Sequence, residues 1–160
     1  MNDRRAFLGL AGAAGASLLL FGRSSGSAAG LRFAVNHTPQ QWRQMLGAQR
    51  YAVLREAATE RLFSSPLLNE HRKGTFICAG CAQPLFSSAT KFESGTGWPS
   101  FWKPLPHAVV TQPDHSLMME RTEVLCARCG GHLGHVFDDG PRPTGLRYCM
   151  DGLALNFRSA

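Results

Sequence analysis

The sequence predicts a mainly β domain, entered through short N-terminal helices and held by a metal site of four cysteines. Three observations carry that expectation. From Gly74 onward, short apolar or alternating runs are separated by Gly, Pro and Ser, the texture of strands and tight loops. Helical spacing is confined to the stretch before Ser64. The cysteines come as two Cys-x-x-Cys pairs, Cys78/Cys81 and Cys126/Cys129, with Cys149 left over. A chain of 160 residues suits one domain with its own core, and 44% apolar with 18% charged residues excludes wholesale disorder.

The first segment reads as an address. Asp3-Arg4-Arg5-Ala6-Phe7-Leu8-Gly9 sets two adjacent arginines ahead of an apolar run from Ala6 to Phe21, the pattern of a twin-arginine export signal. That run is Gly/Ala-rich and shorter than the ~20 residues of a membrane span, so the expected product is soluble, with an uncleaved anchor as the alternative. Ser27-x-Ala29 offers a cleavage site, giving a signal over 1–29, a linker over 30–37 and a domain over 38–160. The expected location is exported, periplasmic. A formal charge of +6 raises the question of nucleic acid, but Arg4, Arg5 and Arg23 belong to the leader and no dense basic stripe follows.

In the body of the chain, Thr38-Pro39-Gln40-Gln41 supplies an N-cap, a Pro at the first helical position and a Gln for a capping box. Helices are predicted over Pro39–Leu46 and Ala48–Glu60, before Ser64-Ser65-Pro66 breaks the pattern. Strands are predicted at Thr75–Cys78, Val109–Gln112, Leu117–Arg121, Glu123–Cys126, His135–Phe137, Leu146–Met150 and Leu153–Phe157.

Each Cys-x-x-Cys is followed by turn-forming residues, Pro84 in one case and Gly130-Gly131 in the other, and such turns aim two sulfurs at one point. Two converging knuckles make the four-thiolate set of one structural Zn2+, with Cys78, Cys81, Cys126 and Cys129 as ligands tying two distant hairpins together. Two alternatives stand beside it: disulfides in an oxidising compartment, or a redox-active pair.

Cys149 is the odd cysteine. Arg147, two residues before it on the same strand face, favours the nucleophilic thiolate. The Gly-rich run from Gly130 to Gly140 adds His132, His135, Asp138 and Asp139. A buried inert cysteine with surface histidines is the plainer alternative.

The segment Gly145-Leu146-Arg147-Tyr148-Cys149-Met150-Asp151-Gly152-Leu153-Ala154-Leu155-Asn156-Phe157 resembles the active-site strand of the B-type peptide methionine-R-sulfoxide reductases. So do Thr90 to Trp102, with its Gly95-Thr96-Gly97-Trp98-Pro99-Ser100-Phe101 core, the run Gly130 to Phe137, and the two knuckles. The likeness spans roughly Thr38 to Phe157. It implies a mainly β, tent-like domain of two antiparallel sheets with the zinc remote from the catalytic pocket. It also implies Cys149 as nucleophile, attacking the sulfoxide sulfur and becoming a sulfenic acid. His132 and His135 would stand near the sulfoxide oxygen, with Asp139 and Arg147 in the surrounding polar network. Trp98 would form the wall against the substrate methyl, with Phe137 and Asp151 as further substrate-binding residues. The implied partners are oxidised proteins and a thioredoxin-like or other thiol reductant. No nucleic acid, no stable membrane insertion and a monomer are expected.

Two positions depart from that family's pattern. Thr96 stands where many members carry the resolving cysteine, so either an external thiol, the favoured option, or a knuckle cysteine resets Cys149. Asp151 replaces the usual Asn and adds a negative charge beside the nucleophile. The rival functions are a zinc-ribbon binding module without catalysis and a thiol-disulfide oxidoreductase.

Overall fold

The computed structural model describes residues 31–116 and 120–160. The expected leader, 1–29, lies outside the described residues, as do residues 117–119 of the expected strand Leu117–Arg121.

Among the described residues, nine strands form two antiparallel sheets, the architecture that the resemblance implies. They are β1 (Gly74–Cys78), β2 (Pro84–Ser87), β3 (Lys91–Phe92), β4 (Ser100–Phe101), β5 (Val109–Asp114), β6 (Arg121–Cys126), β7 (His132–Phe137), β8 (Arg147–Met150) and β9 (Leu155–Ser159). The small sheet runs β2-β1-β9 and the large one β3-β4-β8-β7-β6-β5. Aromatic rings join them: Phe101 of β4 stacks on Phe86 of β2 at 4.4 Å and meets Phe76 of β1 edge-on at 4.9 Å. Phe76, Phe86, Phe101, Leu85, Leu133 and Met150 have no exposed surface.

Several boundaries move for physical reasons. β5 continues through Pro113, which an edge strand tolerates because its missing N–H faces no neighbour. β9 starts at Leu155 rather than Leu153, because Gly152–Ala154 winds into a single 3-10 turn. β2, β3 and β4 were not predicted from sequence, and β3 and β4 are two residues each, too short to leave an alternation.

Helix α1 (Pro39–Glu56) begins with the predicted capping box. Thr38 Oγ1 accepts from the Gln41 N–H at 3.2 Å and Gln41 Oε1 from the Thr38 N–H at 2.8 Å. Gly47, at φ 70 and ψ 170, breaks the run into two segments where the sequence predicts two helices. The second ends at Glu56, short of the predicted Glu60, with left-handed Ala57 as its C-cap. Glu60 is needed elsewhere: its carboxylate accepts the N–H groups of Gly152 and Leu153. Trp42, Tyr51, Val53 and Leu54 are buried as α1 packs on β7 and the 152–154 turn. Residues 31–37, expected as a linker, lie against the second knuckle, with the Val35 N–H donating to the Arg128 carbonyl at 3.0 Å.

Candidate active site and metal centre

The two hairpins β1–β2 and β6–β7 bring their knuckles together. Cys78 and Cys126 end β1 and β6, while Cys81 and Cys129 sit in the turns that follow. The four sulfurs lie within 4.8 Å of one another, with Cys78 Sγ 3.7 Å from Cys129 Sγ and Cys81 Sγ 3.5 Å from Cys126 Sγ. A tetrahedron with metal–sulfur bonds of about 2.3 Å has edges of roughly 3.8 Å, so this donor set fits a closed zinc site. All five cysteines are free thiols, and the spacing is that of a shared metal rather than of disulfides. Because β1 belongs to the small sheet and β6 to the large one, a metal here joins the sheets.

The second site is a row of residues facing one another across the large sheet. The register pairs Gln112 with Glu123, Glu123 with His135, His135 with Cys149 and Cys149 with Ser100. Directly opposed residues of antiparallel strands project to one face, so five strands deliver their polar groups to one strip. Arg121, Phe137 and Arg147 share that face by two-residue alternation. A register shift between Val124 and Leu125 pairs His132 with Leu125, and this bulge brings His132 round to the same side. Gly134 is fixed between these groups: its φ is 142, and a Cβ there would strike the Cys149 carbonyl and lie 2.9 Å from Met150 Cα.

A cavity of about 120 Å³ opens beside Cys149, lined by Thr59, Trp98, Arg121, Gly134, His135, Phe137 and Asp151. That is smaller than the ~300–1,000 Å³ typical of cofactor pockets and suits one side chain's end. Thus Cys149, Trp98, His135, Phe137 and Asp151, all expected from sequence, line it, whereas His132, Arg147 and Asp139 stand outside its lining. Trp98 is anchored by an Nε1–H bond to the Glu60 carbonyl at 3.2 Å. Asp139 receives both Nε and Nη2 of Arg147 at 2.8 Å, and the Arg147 guanidinium lies 4.4 Å from the centre of the Phe137 ring.

Burial pushes the Cys149 thiol above its ordinary 9.0, while the Thr96 hydroxyl, the Arg147 charge and the Ser100 hydroxyl pull it down and Asp151 adds to the rise. The Arg147 charge pulls toward the thiolate, and burial outweighs it. Thr96 Oγ1 lies 3.6 Å from Cys149 Sγ, and Ser94 bonds both Thr96, at 2.9 Å, and Ser100, at 2.7 Å. Burial holds His135 below the ordinary histidine range, although its Nε2 lies 2.8 Å from Asp114 Oδ2. Asp114 in turn is kept well below the carboxylate range by Ser116 and by His135.

His132 is 3% exposed, with Nδ1 2.6 Å from Glu123 Oε1 and Nε2 facing Asp151 Oδ2 at 3.6 Å. Burial works against its charge, yet Asp151 and Glu123 together raise its pKa above the ordinary value. Asp151 Oδ1 accepts the Glu60 N–H at 2.9 Å. Glu60, Arg121, Glu123, Asp114, Ser94 and Ser100 were not predicted as site residues. Arg121 and Glu123 left a trace in the sequence, as two charges spaced to share one strand face beside Thr122, and Ser94 and Ser100 fall in the Thr90–Trp102 segment that carries the family resemblance.

The SelR domain model matches residues 46–159. Among curated proteins, the chain is 51% identical over 129 residues to the peptide methionine sulfoxide reductase MsrB of Leptospira interrogans, covering 80% of this chain and 98% of that one. It is 58% identical over 117 residues to the protein of the same name from Bradyrhizobium diazoefficiens, covering 72% and 84%. With the Methanosarcina barkeri protein, also so named, the identity is 51% over 127 residues, covering 79% and 89%.

Proposed function

Because the chain belongs to the SelR-domain family of MsrB-type methionine sulfoxide reductases, we propose that it reduces the R epimer of methionine sulfoxide in proteins through Cys149. The observation that carries this reading is the cavity itself, in which one thiol meets an aromatic wall of Trp98 and Phe137 and a polar wall of His135, Arg121 and Asp151. A sulfoxide sulfur is pyramidal, bearing a methyl group, a chain methylene and an oxygen. Opposed apolar and polar walls present the sulfur of one epimer to the thiol and turn the other away.

The Cys149 thiolate forms the new bond to the sulfoxide sulfur, and a histidine near the oxygen, His132 or His135, protonates it. The oxygen passes to Cys149 Sγ as a sulfenic acid while both the sulfur–oxygen bond of the substrate and the transient bond between the two sulfurs break, and methionine leaves. Arg147, clamped by Asp139, steadies Phe137 and lends positive charge to the thiolate. One external thiol displaces water from the sulfenic acid to give a mixed disulfide, and a second releases Cys149. The sum is one sulfoxide and two thiols giving methionine, one disulfide and water. Thr96 beside Cys149 Sγ, with four further cysteines gathered as metal ligands, supports an external reductant of thioredoxin-like or similar kind.

The zinc site, made by Cys78, Cys81, Cys126 and Cys129, supplies structure and takes no part in the redox step. The family displaces both rival readings, the zinc ribbon without catalysis and the Cys-x-x-Cys oxidoreductase. The leader supports export by the twin-arginine route, and an Arg4→Lys/Arg5→Lys variant should stay in the cytoplasm.

The deciding experiment assays wild type and Cys149→Ser on separated R and S epimers of a protected methionine sulfoxide with dithiothreitol. Reduction of R alone, lost in the Ser variant, is expected. Activity confined to S, or undiminished in Cys149→Ser, would overturn the assignment.

A further inference from the structure

We propose that Glu123 is a positioning residue that holds His132 as the counter-charge to Asp151, offsetting the negative charge this chain places beside its nucleophile. The inference rests on the reductase reading and deepens it. Asp151 lines the cavity and its charge opposes ionisation of Cys149. Its Oδ1 is occupied by the Glu60 N–H, which leaves Oδ2 facing His132 Nε2 at 3.6 Å, a charge contact rather than a hydrogen bond.

On the other side of the ring, Glu123 Oε1 sits 2.6 Å from His132 Nδ1, and Glu123 Oε2 accepts Gln112 Nε2–H at 2.7 Å. With a proton on Nδ1 donated to Glu123 Oε1, both carboxylate oxygens act as acceptors. His132 Nε2 is buried without a hydrogen-bond partner. A neutral ring would present its Nε2 lone pair to the Asp151 carboxylate, two acceptors facing each other. A charged ring presents a proton instead. The other ionisable neighbours are His135 on the same strand, its ring centre 5.4 Å away, and Arg55 of α1, which lines the depression beside Glu123 and spends one N–H on the Cys129 carbonyl. The net setting is two carboxylates against one imidazole, and it supports the charged form.

Two measurements test this. In the wild-type protein, histidine nitrogen NMR should show His132 with both nitrogens protonated at pH 7, titrating above the ordinary 6.5. A neutral His132 at pH 7 would overturn the proposal without any variant. Glu123→Gln should move the alkylation midpoint of Cys149 up by about 1 pH unit, as an uncompensated Asp151 charge requires, and the same substitution in an Asp151→Asn background should move it by much less. An equal shift in both backgrounds, or none in either, would show Glu123 to be merely structural. Wild-type activity on the R epimer is measured in parallel: its absence defeats the reductase reading, whereas its presence with a neutral His132 defeats only this one.

Discussion

Thr96 and Cys149 face each other at 3.6 Å, a hydroxyl where a second thiol would close the redox cycle inside the chain. Thr96→Cys should therefore convert the one-turnover product from a trappable sulfenic acid to an intramolecular disulfide. Dimedone labelling after one equivalent of substrate should fall to near zero, and persistent labelling would show the loop too rigid for the sulfurs to meet. Arg147 acts on the same sulfur through charge. Arg147→Ala should raise the pH midpoint of iodoacetamide alkylation of Cys149 by about 1 unit and free the Phe137 ring it covers. Cys149, Arg147 and the four metal ligands were legible in the sequence because each is announced by close neighbours. Asp114 and Glu60 were not, because nothing local distinguishes them from surface polar residues until the fold sets them beside the site.

Among the elements, β7 and β8 meet at Gly134, where no side chain fits between the strands. Gly134→Ala should part them, removing the Tm of the wild type by about 5–10 °C and most activity, as thermal melts and the epimer assay would show. The segment after α1 is tied to the strand end beyond Cys149 by Glu60, which is 8% exposed and accepts two backbone N–H groups. Burial raises its pKa above 4.5, so the folded state holds that proton more tightly than the unfolded one. Its contribution is complete at low pH and is lost as pH rises from 4.5 through the folded value. Glu60→Gln should lower Tm throughout, by leaving one N–H poorly paired, and flatten that slope in melts taken between pH 4 and pH 7. The helix cap at Thr38 could be read from four residues, whereas the ends of α1 and β9 could not. Both are set by Glu60 reaching a turn far along the chain, and no local propensity records that contact.

At the scale of the whole molecule, the small sheet meets the large one through a cluster of Phe rings and four clustered cysteines fit to hold one metal. Metal removal should cost several kcal/mol, because binding energy at such a site is folding energy. Chelation is expected to lower Tm by 10 °C or more, on the order of what ~3 kcal/mol gives a domain of this size, and Cys81→Ser should mimic it. Unchanged melts after metal loss, verified by elemental analysis, would make the aromatic contact sufficient alone.

The strand order has one further consequence. Cys149 lies in an interior strand, paired on one side with Ser100 and on the other with His135. Its main chain is therefore pinned, and an oxidised sulfur has no hinge on which to swing outward. Under the proposed mechanism, the external reductant would have to come to it, as a slender thiol or a protruding cysteine entering the mouth that methionine has just vacated. Product departure and reductant arrival then share one doorway, and the two events can only alternate.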